Sequence, residues 1–123
     1  MGRLLESVHR LTASRAELDA AEQLRTARTS GATPVAECVA RRPARVAGVV
    51  SSLTYRPRGE TPALVARLYD GSGSVELIFL GRRDVPGIEP GRRLVAEGVV
   101  YDDHGRPVIF NPAYELGPRG DDR

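Results

Sequence analysis

The stretch Ala63-Leu64-Val65-Ala66-Arg67-Leu68-Tyr69-Asp70-Gly71-Ser72-Gly73-Ser74-Val75-Glu76-Leu77-Ile78-Phe79-Leu80 decides how this chain folds. Its centre, Asp70-Gly71-Ser72-Gly73, is a turn signal. Glycine reaches left-handed backbone conformations at little cost, and Asp and Ser side chains bond their own backbone. The flanks alternate. Leu64, Ala66 and Leu68 share one face, and Val65, Arg67 and Tyr69 the other. Across the turn, Val75, Leu77 and Phe79 oppose Glu76, Ile78 and Leu80. Arg67 and Glu76 mark the outward sides. The spacing predicts an antiparallel hairpin of Ala63–Tyr69 and Ser74–Leu80, with Leu64, Leu68, Val75, Leu77 and Phe79 in a core.

Working outward, three more runs read as strands. Ala44–Tyr55 is long and carries Gly48, where a coiled strand can bulge. Arg93–Tyr101 and Pro107–Asn111 flank Asp102-Asp103-His104-Gly105, a second hairpin signal. Between the hairpins, Pro86-Gly87 and Pro90-Gly91 leave no room for a long helix. Val46, Val50, Leu94, Val100 and Phe110 join the predicted core. The order is long strand, basic loop, hairpin, short connector, hairpin. A flat sheet of this size exposes both edges, so a small closed barrel is favoured. The five-stranded Greek-key barrel known as the OB-fold has this plan. The fold expected is therefore mainly β, a five-stranded antiparallel OB-fold barrel preceded by an N-terminal helical segment. The competing architecture is a three-stranded sheet packed on those helices.

Residues 1–29 hold no proline and no glycine after Gly2. Leu4, Leu11 and Leu18 recur at sevens, and Ser14 and Asp19 are each followed three on by glutamate. Helices are predicted near 2–11 and 15–29, with the three leucines packed on the barrel or a partner, since an exposed leucine stripe promotes association. Ser30–Pro34 ends this region, and Val35–Ala40 adds one turn. The expected organisation is a helical extension over 1–33, the barrel domain over 34–116 and a flexible tail over 117–123.

Composition excludes several classes. The chain's 123 residues suit one domain with a short appendage. No apolar run approaches the ~20 residues of a bilayer span. Met1–Glu6 has an acid at its sixth position and does not read as a secretory signal. Cys38 is the sole cysteine, so no internal disulfide forms. The expected compartment is the cytoplasm. All 18 basic residues are arginine, which removes the phosphate-loop lysine and Schiff-base chemistry and hints at a GC-rich genome. Net charge is zero over residues 1–40, +3 over 41–119 and −1 over 120–123.

No catalytic set assembles. His9 and His104 are far apart in sequence. Asp102-Asp103-His104 reads as a solvated hairpin tip rather than a metal cluster. Asp70–Gly73 is a turn and not a phosphate cradle, and Cys38 reads as a small apolar residue. The expectation is no enzyme, no metal and no cofactor.

Binding candidates are clearer. Tyr55-Arg56-Pro57-Arg58-Gly59-Glu60-Thr61-Pro62 places Arg56 and Arg58 beside a tyrosine on a proline-restricted loop. The outward face of the first hairpin offers Arg67 for a phosphate and Tyr69 for base stacking. Arg82-Arg83 and Arg92-Arg93 bound the connector, and Arg106 follows the second hairpin turn. Against each stands a plainer role: arginine pairs are usually solvated or ion-paired, and the apolar outward face equally suits the N-terminal helices or a dimer contact.

Three stretches carry a resemblance: Ala44–Val50, Leu68–Gly81, and Glu89-Pro90-Gly91-Arg92-Arg93-Leu94 on to Gly98 and Asn111-Pro112-Ala113-Tyr114-Glu115. Together they resemble the small actinobacterial proteins described as OB-fold nucleic-acid-binding domain proteins. They are more distantly similar to the wedge OB domain of RecG-type helicases, from which this chain departs in having no motor domain. The resemblance implies a non-enzymatic module for single-stranded or structured nucleic acid, DNA or RNA, with low sequence specificity. The binding candidates read from the loops and strands above, Arg56, Arg58, Arg67, Tyr69, Arg82, Arg83 and Arg106, are the residues expected to make its contacts. The alternative is a protein-interaction adaptor that uses the apolar outer face and the helices for a partner or a second copy. No membrane partner is expected.

Overall fold

A computed structural model describes residues 16–28, 31–57 and 61–117. Residues 16–28 form helix α1. A 3₁₀ turn, Val35–Glu37, follows, and then six strands: β1 Pro43–Arg56, β2 Ala63–Tyr69, β3 Ser74–Leu80, β4 Arg93–Asp103, β5 Arg106–Phe110 and β6 Ala113–Leu116. The first hairpin has the boundaries read from its alternation.

The strands pair in the order β1-β2-β3-β5-β4-β6, and β1 also pairs with β4, which closes a ring of five. The ring is not wholly antiparallel. β3 and β5 run parallel, Glu76–Ile78 beside Val108–Phe110. Direction is forced here. β4 runs antiparallel to β1, and β5 antiparallel to β4, so β5 shares the direction of β1 and hence of β3.

β1 closes the ring by changing partners. Pro43–Val49 pairs with β4 and Val49–Arg56 with β2. The bulge falls at Ser51, between the Val50 and Ser52 pairs, not at Gly48. Gly48 instead sits where β2's end crosses β1. A Cβ there would lie 2.8 Å from the Tyr69 carbonyl carbon and closer still to its oxygen.

The sequence reading did not anticipate β6. It pairs antiparallel with the first half of β4, Leu94–Glu97, and continues the edge that β5 leaves. Asn111 makes the corner between them. It takes a left-handed φ of 46° and its Oδ1 accepts the Leu80 N–H at 2.9 Å.

One buried cluster fills the ring. It contains the predicted Val46, Val50, Leu64, Leu68, Val75, Leu77, Phe79, Leu94 and Val100. Phe110 is a correction: it is 45% exposed, and Ile109, fully buried, takes the inward position. The ladders decide this, since Ile109 sits opposite Leu77 and Val100, both core residues. Val85 and Ile88 of the β3–β4 connector cap the cluster, and Tyr114 meets Phe79 edge-to-face at 5.9 Å.

Helix α1 packs through small residues. Ala27 is buried with Ala32 and Ala47, against Val95. Gln23 accepts a hydrogen bond from Arg93 Nη1 at 3.1 Å. Gly71 lets the β2–β3 turn reach the helix, where a Cβ would lie 3.0 Å from the Ala20 carbonyl carbon. Leu18 is not packed on the ring: it is 68% exposed, because the docked face is Ala20, Leu24 and Ala27. Leu4, Leu11, the helix expected near 2–11 and, past Gly117, the tail expected over 117–123 lie outside the described residues. No helix among the described residues is long and apolar enough to cross a membrane.

Candidate functional site

The outward face of β2, β3, β5 and β4 is built by register. Arg67 stands opposite Glu76, Glu76 beside Val108, and Val108 opposite Tyr101, so these four form one row across four strands. The next row runs Val65, Ile78, Phe110. Ala63, Val65, Ile78 and Val108 form a second buried cluster, separate from the ring's interior.

Around this cluster, large apolar side chains meet solvent. Tyr101 is 44% exposed, and its ring lies 6.0 Å from that of Phe110. Leu80 and Val99 are exposed as well. Helix α1 sits elsewhere, over Ala47, Val95 and the Asp70–Gly73 turn. Among the described residues, the helix thus leaves this face open.

Arg67 lies on the face and is exposed. Arg56, at the end of β1, reaches across β2, its Nη2 donating to Glu76 Oε2 at 3.2 Å. Arg106 opens β5, exposed and opposite Asp103. The ladders put Arg106 level with Ser74 and Tyr69, at the end of the sheet opposite the β1–β2 loop. Tyr69 is half-buried where β2 crosses β1. Arg82 is exposed on the connector, and the Arg83 guanidinium lies 5.4 Å from the centroid of the Tyr55 ring, a cation–π pair. Arg58 lies outside the described residues.

Two groups weighed as chemistry lie at the border of this face, one beside Arg106 and one across a cleft from Tyr101. The His104 Nδ1 is 2.9 Å from Asp103 Oδ1 on an exposed turn. Among the described residues no group of three His, Cys, Asp or Glu side chains is placed to hold a metal. Cys38 borders a cleft of about 420 Å³ between the 3₁₀ turn and the β4–β5 hairpin. Burial pushes its thiol above the usual range, and the charges of Asp70 and Glu37 push the same way.

The sequence reading missed Tyr101 and Phe110 as surface aromatics. A signal for Tyr101 was present, since it alternates with the core residue Val100. Val108-Ile109-Phe110 has no polar residue to set its parity.

No family model and no curated protein matches the sequence. The functional reading therefore rests on the geometry of the face.

Proposed function

We propose that this chain is an OB-fold module that holds single-stranded nucleic acid without catalysing a reaction, in the cytoplasm. Strand order supports the fold assignment: a long first strand shared by both halves closes a ring in the order β1-β2-β3-β5-β4. One observation carries the function. Two exposed aromatic rings, Tyr101 and Phe110, lie side by side on the outer sheet face that also carries Arg67, Arg56 and Arg106. Bases stack on such rings whatever their identity, while guanidinium groups meet phosphates. The result is binding with little sequence specificity. Tyr101 and Phe110 replace Tyr69 as the stacking platform, because Tyr69 is held at the strand crossing.

A titration of labelled single-stranded oligonucleotides at two salt concentrations tests this. Tyr101→Ala and Phe110→Ala should each cost ~1–3 kcal/mol with an unchanged salt slope. Arg67→Ala should flatten the slope by roughly one unit. Absence of salt-sensitive binding by the intact protein would reject the proposal.

The exposed cluster of Leu80, Val99, Tyr101 and Phe110 also favours a second reading, a protein-interaction adaptor. It predicts association that ordinary salt does not weaken and sulfate strengthens, since apolar burial is not screened.

A further inference from the structure

Glu76 is an unexpected residue on a surface that would bind a polyanion. It stands in the central row, opposite Arg67 on β2 and beside Val108 on β5. Its side chain is only 17% exposed, and Arg56 bonds it from the far side of β2. The row is thus ordered by chemistry. Arginines lie toward β1 and β2, the carboxylate lies on β3, and the apolar and aromatic groups lie on β5 and β4. Strands are ~4.8 Å apart, so Arg67 and Tyr101, three intervals apart, are separated by roughly 14 Å at the backbone. A nucleotide with its phosphate on Arg67 and its base toward the rings crosses Glu76 with its uncharged sugar.

From this order we infer that Glu76 selects single strands against duplexes. The inference rests on the nucleic-acid reading above and names the substrate class within it. A duplex presents phosphates outward and keeps its bases stacked inside. Set on this face, it draws Arg56 and Arg67 toward its phosphates, brings those phosphates against the Glu76 carboxylate, and gains nothing from Tyr101 or Phe110. A single strand lays its uncharged sugar over Glu76, escapes most of that repulsion and gains stacking besides. Rejecting the wrong ligand through a built-in repulsion is a common route to specificity, because the repulsive group acts chiefly on the ligand that brings charge against it. The Arg56–Glu76 pair strengthens the effect. Until a phosphate competes successfully, Glu76 occupies the guanidinium that would receive it.

The test compares a single-stranded oligonucleotide with the duplex of the same sequence, against the intact protein, Glu76→Gln, Arg56→Gln and the double variant. Glutamine preserves the size of the side chain and removes its charge. The intact protein should bind the single strand more tightly. Glu76→Gln should tighten duplex binding about three- to fivefold and single-strand binding by less than about twofold, the scale of one exposed ion pair. The duplex salt slope should steepen by roughly one unit as Arg56 becomes available. Adding Arg56→Gln to Glu76→Gln should abolish the steeper slope and leave the part of the duplex gain that comes from relieved repulsion. Equal tightening for both ligands, or none for either, would overturn the inference while leaving the binding proposal intact. Arg56→Gln also removes the ion pair, so its thermal melt separates a folding defect from a binding effect. If the intact protein binds neither ligand, the nucleic-acid reading itself fails.

Discussion

The buried carboxylate of Asp70 accepts the backbone N–H of Val35 at 2.8 Å, tying the β2–β3 turn to the segment that leads into the ring. Its other oxygen accepts the N–H groups of Ser72 and Gly73 and the Ser72 hydroxyl, at 2.7 to 3.1 Å. Every partner is a donor, so the site needs an acceptor with several lone pairs, which a carboxylate supplies. Asp70 is the one buried polar or charged residue among those described.

Asp70→Ala should therefore destabilise the domain by about 3 kcal/mol, since it leaves donors without an acceptor. Asp70→Asn should cost less, about 1–2 kcal/mol, because one oxygen remains while its amide faces other donors. Urea unfolding of the three proteins checks the order. Equal stability of all three would mean that water takes over the carboxylate's role.

Gly48→Ala should be severe for a different reason. Its Cβ would run into the Tyr69 carbonyl, which is backbone and has no rotamer to escape into. A loss of roughly 3 kcal/mol or more is expected, at the upper end of overpacking effects. A thermal melt within a few degrees of the parent would show that the crossing of β1 and β2 is looser than described here.

The contrast between these two sites shows what the sequence could convey. The hairpin was legible because alternation and turn chemistry are both local: Arg67 and Glu76 fix parity, and Asp70 selects the turn. Gly48 was legible as a special position, but not its purpose, because the carbonyl it accommodates lies 21 residues away. β6 escaped because it is four residues long, and the Asn111-Pro112 turn signal ahead of it reads equally well as the end of the sheet. The leucine spacing did not say which face of the helix meets the ring, because close packing on Ala47 rewards the helix's small face over its larger one. On the candidate site, Arg67 and Glu76 were legible as outward, whereas the Arg56–Glu76 pair depends on a reach across β2 that no local pattern encodes.

Cys38 should alkylate slowly. Its thiol is pushed up by burial first and then by the charges of Asp70 and Glu37. A raised thiol holds less thiolate at pH 8 than an unperturbed one, and thiolate is the reacting form. The rate with iodoacetamide should therefore fall below that of a free cysteine at pH 8 and keep rising at higher pH than the free thiol's does. In urea the rate should return to the free value. A native rate matching free cysteine would contradict both the burial and the charge assignment.

Ile109 and Phe110 are neighbours in β5 with opposite duties, and two substitutions separate them. Ile109 is fully buried between Leu77 and Val100 in the ladders. Ile109→Ala should cost about 2–5 kcal/mol, the usual range for emptying a core position. Phe110→Ala removes a larger side chain, yet that ring is nearly half exposed and contacts Tyr101 at the surface. Its stability cost should stay below about 1.5 kcal/mol, the scale of one aromatic pair. Binding should respond in reverse. Phe110→Ala should weaken oligonucleotide binding, while Ile109→Ala, measured where it remains folded, should bind like the parent. Chemical unfolding and titration of the same two variants give both readouts. A large stability loss for Phe110→Ala with unchanged binding would return Phe110 to the core and remove the ring from the proposed face.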